Sequence, residues 1–339
     1  MLEQYNGPAS RFDCPKCGAI KEFTRYVDDE KNYYADNVGR CNRELNCGYH
    51  LTPSQYFKDN PDVNSFDFSK YRTAQKKPSK IDFLPVSIMN ESVAHWRSNN
   101  FTKYLSKLVG WDVVEKVAIK YNIGTSKLWE GATVFWQVDG QGRPRQAKVM
   151  HYNSETGKRT RSQDEALKWD YSYGGYYSDK SGQDKISYAG KWILNNKDAN
   201  FKQCFFGEHL LTQSPNNIVC IVESEKTAII ASLYSPNYIW IATGGKHGCM
   251  LASKDVCKVL EGRTVCLYPD LGCFDEWSKK MNDIKQLINC KIRITDLLEN
   301  KATEEEKQKG YDLVDLLLKI DRTTGLALTQ NNYPLMWDL

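Results

Sequence analysis

Four cysteines near the start of the chain have the spacing of a zinc site. Cys14 and Cys17 lie in the segment Cys-Pro-Lys-Cys-Gly, and Cys41 and Cys47 lie in a second segment that continues to His50. Zinc takes four nitrogen or sulfur ligands in a tetrahedron, and two such turns joined by a hairpin supply them in a unit too small to bury a core. Because the gap between Cys41 and Cys47 is wider than usual, His50 is an alternative ligand that would replace one of them. We therefore predict one structural zinc ion.

Polar residues that follow three apolar runs form a second group that could do chemistry. Glu223 follows Ile-Val-Cys-Ile-Val, Asp270 follows Thr-Val-Cys-Leu-Tyr-Pro, and the pair Gly244 and Gly245 follows Tyr-Ile-Trp-Ile-Ala-Thr. Two carboxylates at neighbouring strand ends can hold Mg²⁺, whose coordination is completed by water and substrate phosphates. The glycine pair lets a ligand approach the backbone closely, and the helix N-terminus that follows favours an anion. An acidic residue at such a place can instead cap the next helix, so these residues alone leave both roles open.

Positive charge is concentrated in one hairpin and its flank in the middle of the chain. Strand-like runs over 133–138 and 146–152 flank Asp-Gly-Gln-Gly, which is a strong hairpin signal. Cations on such a surface can neutralise the phosphates of nucleic acid or nucleotides, or they can form a solvated face. The six cations are Arg143, Arg145, Lys148, Lys158, Arg159 and Arg161. Lys226 and Lys246, just after the strand-end motifs, are either further phosphate-binding residues or surface lysines.

The composition is that of a folded chain with two or three domains. The 339 residues carry a net charge of +4, and 41% of them are hydrophobic, which is enough apolar surface to offset the ordering entropy. No apolar run approaches the length of a membrane span, and the first residues lack the apolar stretch of a signal peptide. We therefore expect a cytoplasmic protein that does not associate with membranes. The odd number of cysteines, 11, argues against a disulfide framework.

The pattern of apolar residues predicts the elements that position these groups. Thr52-Pro-Ser-Gln begins a short helix through a capping box, and the segment 92–122 forms two helices that break near Gly110. In the cysteine-rich segment, the runs 22–27 and 32–38 are the predicted strands. In the C-terminal part, short apolar strands alternate with helices, which indicates a parallel sheet whose ligands bind at the carboxyl ends of the strands. Its predicted strands are 218–222, 238–242, 264–268 and 291–294, and its predicted helices are 226–234, 248–260 and 274–289.

Three segments of this C-terminal part resemble the motifs of a TOPRIM domain, the metal-binding catalytic fold of DnaG-type primases, type IA and type II topoisomerases and some nucleases. They read IVESEKTAIIAS, IATGGKHG and CLYPDLGCFDEW, in that order and spacing. The resemblance implies that Glu223 acts in catalysis and that Asp270 binds Mg²⁺ or Mn²⁺. The family carries a second aspartate where this chain has Gly272, and often another where it has Thr227. The candidates for a replacement carboxylate are Asp275, Glu276 and Asp312.

The order of the modules resembles that of bacterial and phage DnaG-like primases, over about residues 10–320. It runs from a zinc ribbon through helices ending in KYNIGTSK and the basic hairpin to the TOPRIM motifs. The chain is also similar to the zinc-ribbon and TOPRIM proteins of bacterial mobile elements, in which ESEKTA and CGYH recur. The primase resemblance implies metal-dependent nucleotidyl transfer on single-stranded DNA, with nucleotides as substrates. Asp270 would hold Mg²⁺ against the incoming triphosphate, and Glu223 would be a metal ligand or a general base.

Two other functions are alternatives to a primase. One is a TOPRIM nuclease that uses the same metal site, and the other is a non-catalytic DNA-binding accessory protein of replication or mobilisation. No P-loop motif is present, so a helicase partner would be a separate replicative helicase.

We therefore predict an α/β protein with an N-terminal zinc ribbon, a mixed α+β middle region and a C-terminal TOPRIM domain with a mainly parallel sheet. The predicted boundaries are 1–60 for the zinc ribbon, 61–82 for a linker, 83–205 for the primase-like basic region and 206–339 for the TOPRIM domain. Residues 153–200 have no clear period, and their aromatic side chains would stack on bases or cover a core. The aromatic residues are Trp169, Tyr171, Tyr173, Tyr176 and Tyr177.

Overall fold

The described chain forms two units, Met1–Pro78 and Ser79–Leu339. The computed structural model describes residues 2–28, 30–43, 47–60, 80–128, 130–160, 176–178, 184–186, 192, 195–196, 199–245, 248–309 and 311–324. The predicted linker therefore lies almost entirely outside the described residues. The predicted boundary between residues 205 and 206 falls inside the second unit and stays a prediction.

The first unit is built on a small antiparallel sheet. Its strands are β1 (Phe23–Arg25), β2 (Gly39–Cys41) and β3 (His50–Leu51), in the order β1-β2-β3. Phe23 lies opposite Cys41, and both side chains are fully buried. The strand predicted over 32–38 is wrong, because the second strand begins at Gly39. A Cβ atom there would lie 2.3 Å from the Thr24 carbonyl oxygen, so the two strands can approach this closely only at a glycine.

The helix predicted after the cysteine-rich segment is confirmed as α1 (Pro53–Asp59). Thr52 accepts a hydrogen bond at its hydroxyl from the Gln55 backbone N–H at 3.3 Å, and the Gln55 side chain accepts one from the Thr52 N–H at 3.2 Å. This reciprocal pair satisfies N–H groups that the first helical turn leaves without partners.

Three helices and an antiparallel sheet begin the second unit. The two helices predicted around Gly110 are present, because this glycine adopts a φ of 79° between α3 and α4. The helices are α2 (Val86–Ala94), α3 (Asn100–Val109) and α4 (Trp111–Lys120), with a 3₁₀ turn at Trp96–Ser98. The sheet contains β4 (Ile123–Ser126), β5 (Ala132–Val138) and β6 (Pro144–Met150), and a separate pair consists of β7 (Tyr176–Ser178) and β8 (Asp184–Ile186). The predicted hairpin is therefore confirmed as β5 and β6, whereas Trp169, Tyr171 and Tyr173 lie outside the described residues.

A four-stranded parallel sheet follows, as the alternating pattern predicts. Its strands lie in the order β10-β9-β11-β12, and every residue of β9 and β10 is buried, as expected for parallel strands covered on both faces. They are β9 (Val219–Val222), β10 (Ile239–Ala242), β11 (Thr264–Leu267) and β12 (Lys291–Ile294). The helices around them are α5 (Leu210–Gln213), α6 (Glu225–Tyr234), α7 (Lys254–Cys257, with a 3₁₀ turn at Lys258–Leu260), α8 (Phe274–Leu287), α9 (Leu297–Lys301), α10 (Glu304–Lys309) and α11 (Leu313–Thr324). The predicted α/β class, with a mixed middle region and a C-terminal parallel sheet, is confirmed.

One hydrophobic core joins the antiparallel and parallel parts of the second unit, with buried residues from Phe101 to Leu317. The edge strand β10 is covered, because Phe206 and Ala242 exchange backbone hydrogen bonds of 2.9 and 3.0 Å. The Tyr121 hydroxyl, at the end of α4, donates to the buried Trp240 carbonyl at 3.0 Å. Among the described residues, no helix combines the length and apolar character needed to cross a bilayer.

We expect Tyr121→Phe to lower the free energy of unfolding by about 1–2 kcal/mol. The substitution keeps the ring that stacks on Phe206, with centroids 5.4 Å apart. It removes the hydroxyl that donates to the Trp240 carbonyl oxygen. Urea denaturation measures the change. A variant as stable as the wild type would show that this hydrogen bond does not help to fasten α4 to the sheet.

Candidate functional site

The four predicted zinc ligands converge in the first unit. The sulfur atoms of Cys14, Cys17, Cys41 and Cys47 all lie within 4.8 Å of one another, with 3.8 Å between Cys14 and Cys47 and 4.0 Å between Cys17 and Cys41. Four sulfurs in a tetrahedron around zinc, each at about 2.3 Å from the metal, lie about 3.8 Å apart. The donor set therefore fits a structural Zn²⁺.

The alternative zinc ligand, His50, lies outside this sulfur cluster. Its ring stacks on that of Tyr26 with centroids 5.9 Å apart, and its Nε2 atom lies 2.8 Å from the Tyr26 hydroxyl oxygen. Cys41 instead reaches the site because it is the last residue of β2, beside the buried Phe23. The wide gap after Cys41 is therefore compatible with four cysteine ligands.

Carboxylates gather at the carboxyl edge of the parallel sheet. Glu223 directly follows β9, and Asp270 comes three residues after the end of β11, which is the neighbour of β9. Asp312 and Asp315 come from the start of α11, where the backbone N–H of each donates to the carboxylate of the other at 3.2 and 3.0 Å. We call these four residues the carboxylate cluster. Asp315 was not predicted, although the spacing Asp-x-x-Asp before an apolar run is a helix-start signal.

The carboxylate cluster is electrostatically unfavourable without a cation. Burial raises the pKa of Asp270 to about 8, and the charges of Glu223, Asp312 and Asp315 add to the effect. Burial and Asp312 also raise the pKa of Asp315, against the opposing effect of Lys226 and Lys158. A cation bound at the cluster would favour the ionised form of Asp270 and displace its proton.

Asp312 is the predicted replacement carboxylate that joins the cluster. Its Oδ2 atom accepts a hydrogen bond from the Thr227 hydroxyl at 3.2 Å, so it reaches the position at which the resembled family often has an aspartate. The other two candidates lie in the first turn of α8, and neither contributes to the raised pKa of Asp270. Glu276 accepts a hydrogen bond from Lys280 at 2.8 Å, and Asp275 is exposed.

The backbone conformation at position 272 favours a glycine. Its φ is +80°, which side chains rarely adopt, and its N–H donates to the Glu299 carboxylate at 2.8 Å. The position after Asp270 and Leu271 is therefore a tight turn held by Glu299 of α9.

The residues Thr243, Gly244 and Gly245 form a tight turn after β10 that we call the strand-end loop. The N–H groups of both glycines donate to the Glu223 carbonyl oxygen at 3.0 Å, so they are not directed at a ligand. Both glycines have positive φ, 88° and 123°. A nucleotide contact at Gly244 and Gly245 stays a prediction, and Lys246 lies outside the described residues.

Three cations of the hairpin have carboxylate partners within the chain. Arg143 and Arg145 both contact Oδ2 of the buried Asp139, at 2.8 and 3.3 Å, and Lys148 contacts Glu225 Oε2 at 2.9 Å. Sequence reasoning missed both acidic partners. Asp139 lies in the hairpin turn itself, four residues before Arg143, whereas Glu225 belongs to a distant element and leaves no periodic signal. Phosphate binding by these three cations stays a prediction.

The flank of the hairpin places positive charge beside the carboxylate cluster. Lys158 is exposed, Lys226 is half-buried in the first turn of α6, and both act on the pKa of Asp315. Burial raises the pKa of Tyr152, and the charge of Asp312 adds to the effect, whereas the positive charge of the exposed Arg159 opposes it. Arg161 lies outside the described residues.

We expect the protein, purified without added zinc, to contain about one zinc ion per chain, because four thiolates surround one point. Cys14→Ser/Cys17→Ser should lose the metal and unfold the first unit. His50→Ala is the matched control and should keep the zinc. Metal analysis decides the matter, and undiminished zinc in the double cysteine variant would contradict the site.

We expect Asp270→Asn to stabilise the protein at pH 8 in buffer without divalent cations. The unfolded chain releases the Asp270 proton near pH 4, whereas the folded protein holds it up to about pH 8. The contribution of Asp270 to stability therefore falls as the pH rises between these values. Asparagine does not ionise. The difference in free energy of unfolding between the variant and the wild type should therefore favour the variant by about 1 kcal/mol or more at pH 8 compared with pH 4. Urea denaturation at both pH values measures this, and an equal effect at both would contradict the electrostatic account.

Comparison with known proteins shows two family relationships along the chain. Residues 1–62 match a zinc beta-ribbon finger family, in agreement with the sulfur cluster, and a structural zinc is thereby supported from sequence and geometry. Residues 99–271, just over half of the chain, match the family described as a domain of unknown function, DUF6371. No curated protein sequence matches the chain.

Remote similarities to solved structures involve primase fragments. The primase fragment of the bacteriophage T7 primase-helicase protein is 14% identical, with a TM-score of 0.34, over 84% of this chain and 88% of that chain. The zinc-binding and RNA polymerase domains of the Aquifex aeolicus primase are 12% identical, with a TM-score of 0.33, over 96% and 84%. Similarities this remote do not assign an activity. The match over residues 99–271 does assign a family, and the chain belongs to the DUF6371 family, with a zinc beta-ribbon finger at its N-terminal end.

Proposed function

We propose that the second unit carries a TOPRIM-type, metal-dependent site for nucleotidyl transfer on single-stranded DNA, as in a primase. The observation that carries this proposal is the carboxylate cluster, in which strand ends and α11 bring four acidic residues together. A structural protein has no evident reason to retain a buried carboxyl group whose ionisation its neighbours oppose.

The carboxylate cluster suits Mg²⁺ or Mn²⁺ better than a dehydrated metal. The four cysteines are the group of described residues whose ligand atoms converge within 4.8 Å, and the carboxylates are spaced more widely. Mg²⁺ keeps several of its waters and binds through one or two carboxylates together with substrate phosphates. Asp270 and Glu223 would therefore hold the ion, and Asp312 would offset its charge from the side of α11.

In this proposal the carboxylates of the cluster and the neighbouring cations have separate roles. The bound ion would supply positive charge to the transferring phosphate. Glu223 acts as a metal ligand or accepts the proton of the attacking hydroxyl, and Asp270 fixes the place at which the triphosphate binds. Lys158, Arg159 and Lys226 neutralise template or nucleotide phosphates, because they lie beside the cluster.

The zinc-bearing first unit has a structural role in the proposal. Zinc holds the two cysteine turns together in a unit with few buried apolar side chains. The folded surface would then be presented to single-stranded DNA. A separate replicative helicase stays a proposed partner.

A non-catalytic DNA-binding protein is the second candidate function. It is favoured by Gly272, whose φ of +80° disfavours any side chain where the TOPRIM pattern has its second aspartate. The metal would then bind weakly, and the cations would retain DNA without chemistry. A TOPRIM nuclease would use the same carboxylates to hydrolyse the DNA backbone.

Incubation of the full chain with single-stranded templates, labelled nucleotides and Mg²⁺ or Mn²⁺ distinguishes the three functions. We expect new labelled strands to be made. Asp270→Asn and Glu223→Gln should each reduce synthesis by about 100-fold or more, since each removes a charge from the reacting centre.

Asp283→Asn is the matched control, because Asp283 is an exposed carboxylate on α8 outside the carboxylate cluster. It should leave synthesis unchanged. Shortening of the DNA would indicate a nuclease, and retention without either reaction would indicate a binding protein. Full synthesis by Asp270→Asn would remove the cluster from the mechanism.

A further inference from the structure

An ion pair between the half-buried Lys148 and the buried Glu225 joins two elements to the strand-end loop. Lys148, on β6, donates from Nζ to Glu225 Oε2 and to the Gly244 carbonyl oxygen, both at 2.9 Å. Glu225 lies in the first turn of α6, and its side chain is only 3% exposed. The pair therefore connects the hairpin, α6 and the loop that follows β10.

The strand-end loop is held from two sides. Lys148 binds the carbonyl of Gly244, while the N–H groups of Gly244 and Gly245 donate to the carbonyl of Glu223. Glu223 is also a member of the carboxylate cluster. The position of the Glu223 backbone is thus linked to Lys148 through one short loop.

The loop lies close to this junction, so a side chain at Gly244 would be crowded as well as strained. A Cβ atom there would lie 3.1 Å from Gln137 Nε2 and 3.4 Å from Glu225 Oε1, at a φ of +88°. Backbone of the loop and polar side chains of β5, β6 and α6 are therefore packed directly against each other.

The charge of Lys148 is needed inside the protein. Glu225 Oε1 is buried and has no hydrogen-bond partner among the described groups, so Lys148 is the cation that compensates this carboxylate. Removal of one member of a buried ion pair leaves an uncompensated charge, which is strongly destabilising, whereas removal of both is often nearly neutral. If Lys148 bound a phosphate instead, Glu225 would be left as a buried carboxylate without a compensating cation.

We propose that Lys148 and Glu225 are positioning residues, which fix the strand-end loop and through it Glu223, and that Lys148 does not bind phosphate. This assignment differs from the one that the sequence favours for Lys148. It rests on the proposed function for the role of Glu223, whereas the ion pair itself can be tested independently.

Thermal unfolding of single and double variants tests the ion pair. Lys148→Met should lower the unfolding midpoint of the full chain by about 5–10 °C. Lys148→Met/Glu225→Gln should return to within about 3 °C of the wild type. Additive losses in the double variant would show that the two side chains do not compensate each other and would overturn the proposal.

The double variant also tests positioning, because it folds but lacks the donor to the Gly244 carbonyl. Its affinity for Mn²⁺, measured by the paramagnetic signal of the free ion, should fall about tenfold. Lys148→Arg keeps the charge and should retain most of the affinity. Unchanged Mn²⁺ affinity in the double variant would confine the pair to stability and overturn the positioning role.

The salt dependence of binding to single-stranded DNA tests whether Lys148 contacts phosphate. The double variant should keep the wild-type salt slope, as should the exposed control Lys285→Met. Lys158→Met and Lys226→Met should each reduce the slope by about 0.7, the value for one phosphate contact on a single strand. A loss of this size in the double variant would show that Lys148 binds phosphate. If the wild type binds neither Mn²⁺ nor DNA, the proposed function fails, while the unfolding midpoints still decide the ion pair.

Discussion

Two adjacent parallel strands bring Glu223 and Asp270 to the same edge of one sheet, where burial and the neighbouring carboxylates oppose the ionisation of Asp270. The raised pKa of Asp270, about 8, is the direct result of this constraint. α11 brings Asp312 and Asp315 to the same place, and their charges raise the pKa of Asp270 further. The fold therefore gathers like charges that a divalent cation would stabilise. Lys158 and Lys226 then supply positive charge beside the cluster.

Three cations of the basic hairpin have carboxylate partners that its composition does not reveal, and their binding to phosphate stays a prediction. Arg143 and Arg145 compensate the buried Asp139, and Lys148 compensates Glu225. These contacts fasten the hairpin turn and connect β6 to the parallel sheet, where the core is continuous. A run of cations in a sequence can therefore compensate internal carboxylates, and the exposed cations Lys158 and Arg159 lie in the flank of the hairpin.

Local and periodic features were predictable from the sequence. The parallel strands lie within one residue of their predicted ends, because short apolar runs between helices have few other solutions, and the cysteine spacing identified all four sulfur ligands. The strand expected over 32–38 was wrong, since pairing with β1 begins at Gly39, where a glycine permits close approach to Thr24. The Lys148–Glu225 pair was missed for another reason. It depends on which distant elements meet, and no periodicity in the chain encodes that.

The central claim is that the carboxylate cluster exchanges a proton for a divalent cation. Calorimetric titration of Mn²⁺ into the zinc-loaded protein at pH 7, repeated in two buffers of different ionisation enthalpy, measures the protons released. With the pKa of Asp270 at about 8, the account predicts release of close to one proton for each Mn²⁺ bound, and loss of this release in Asp270→Asn. Binding without proton release, or no binding at all, would contradict it.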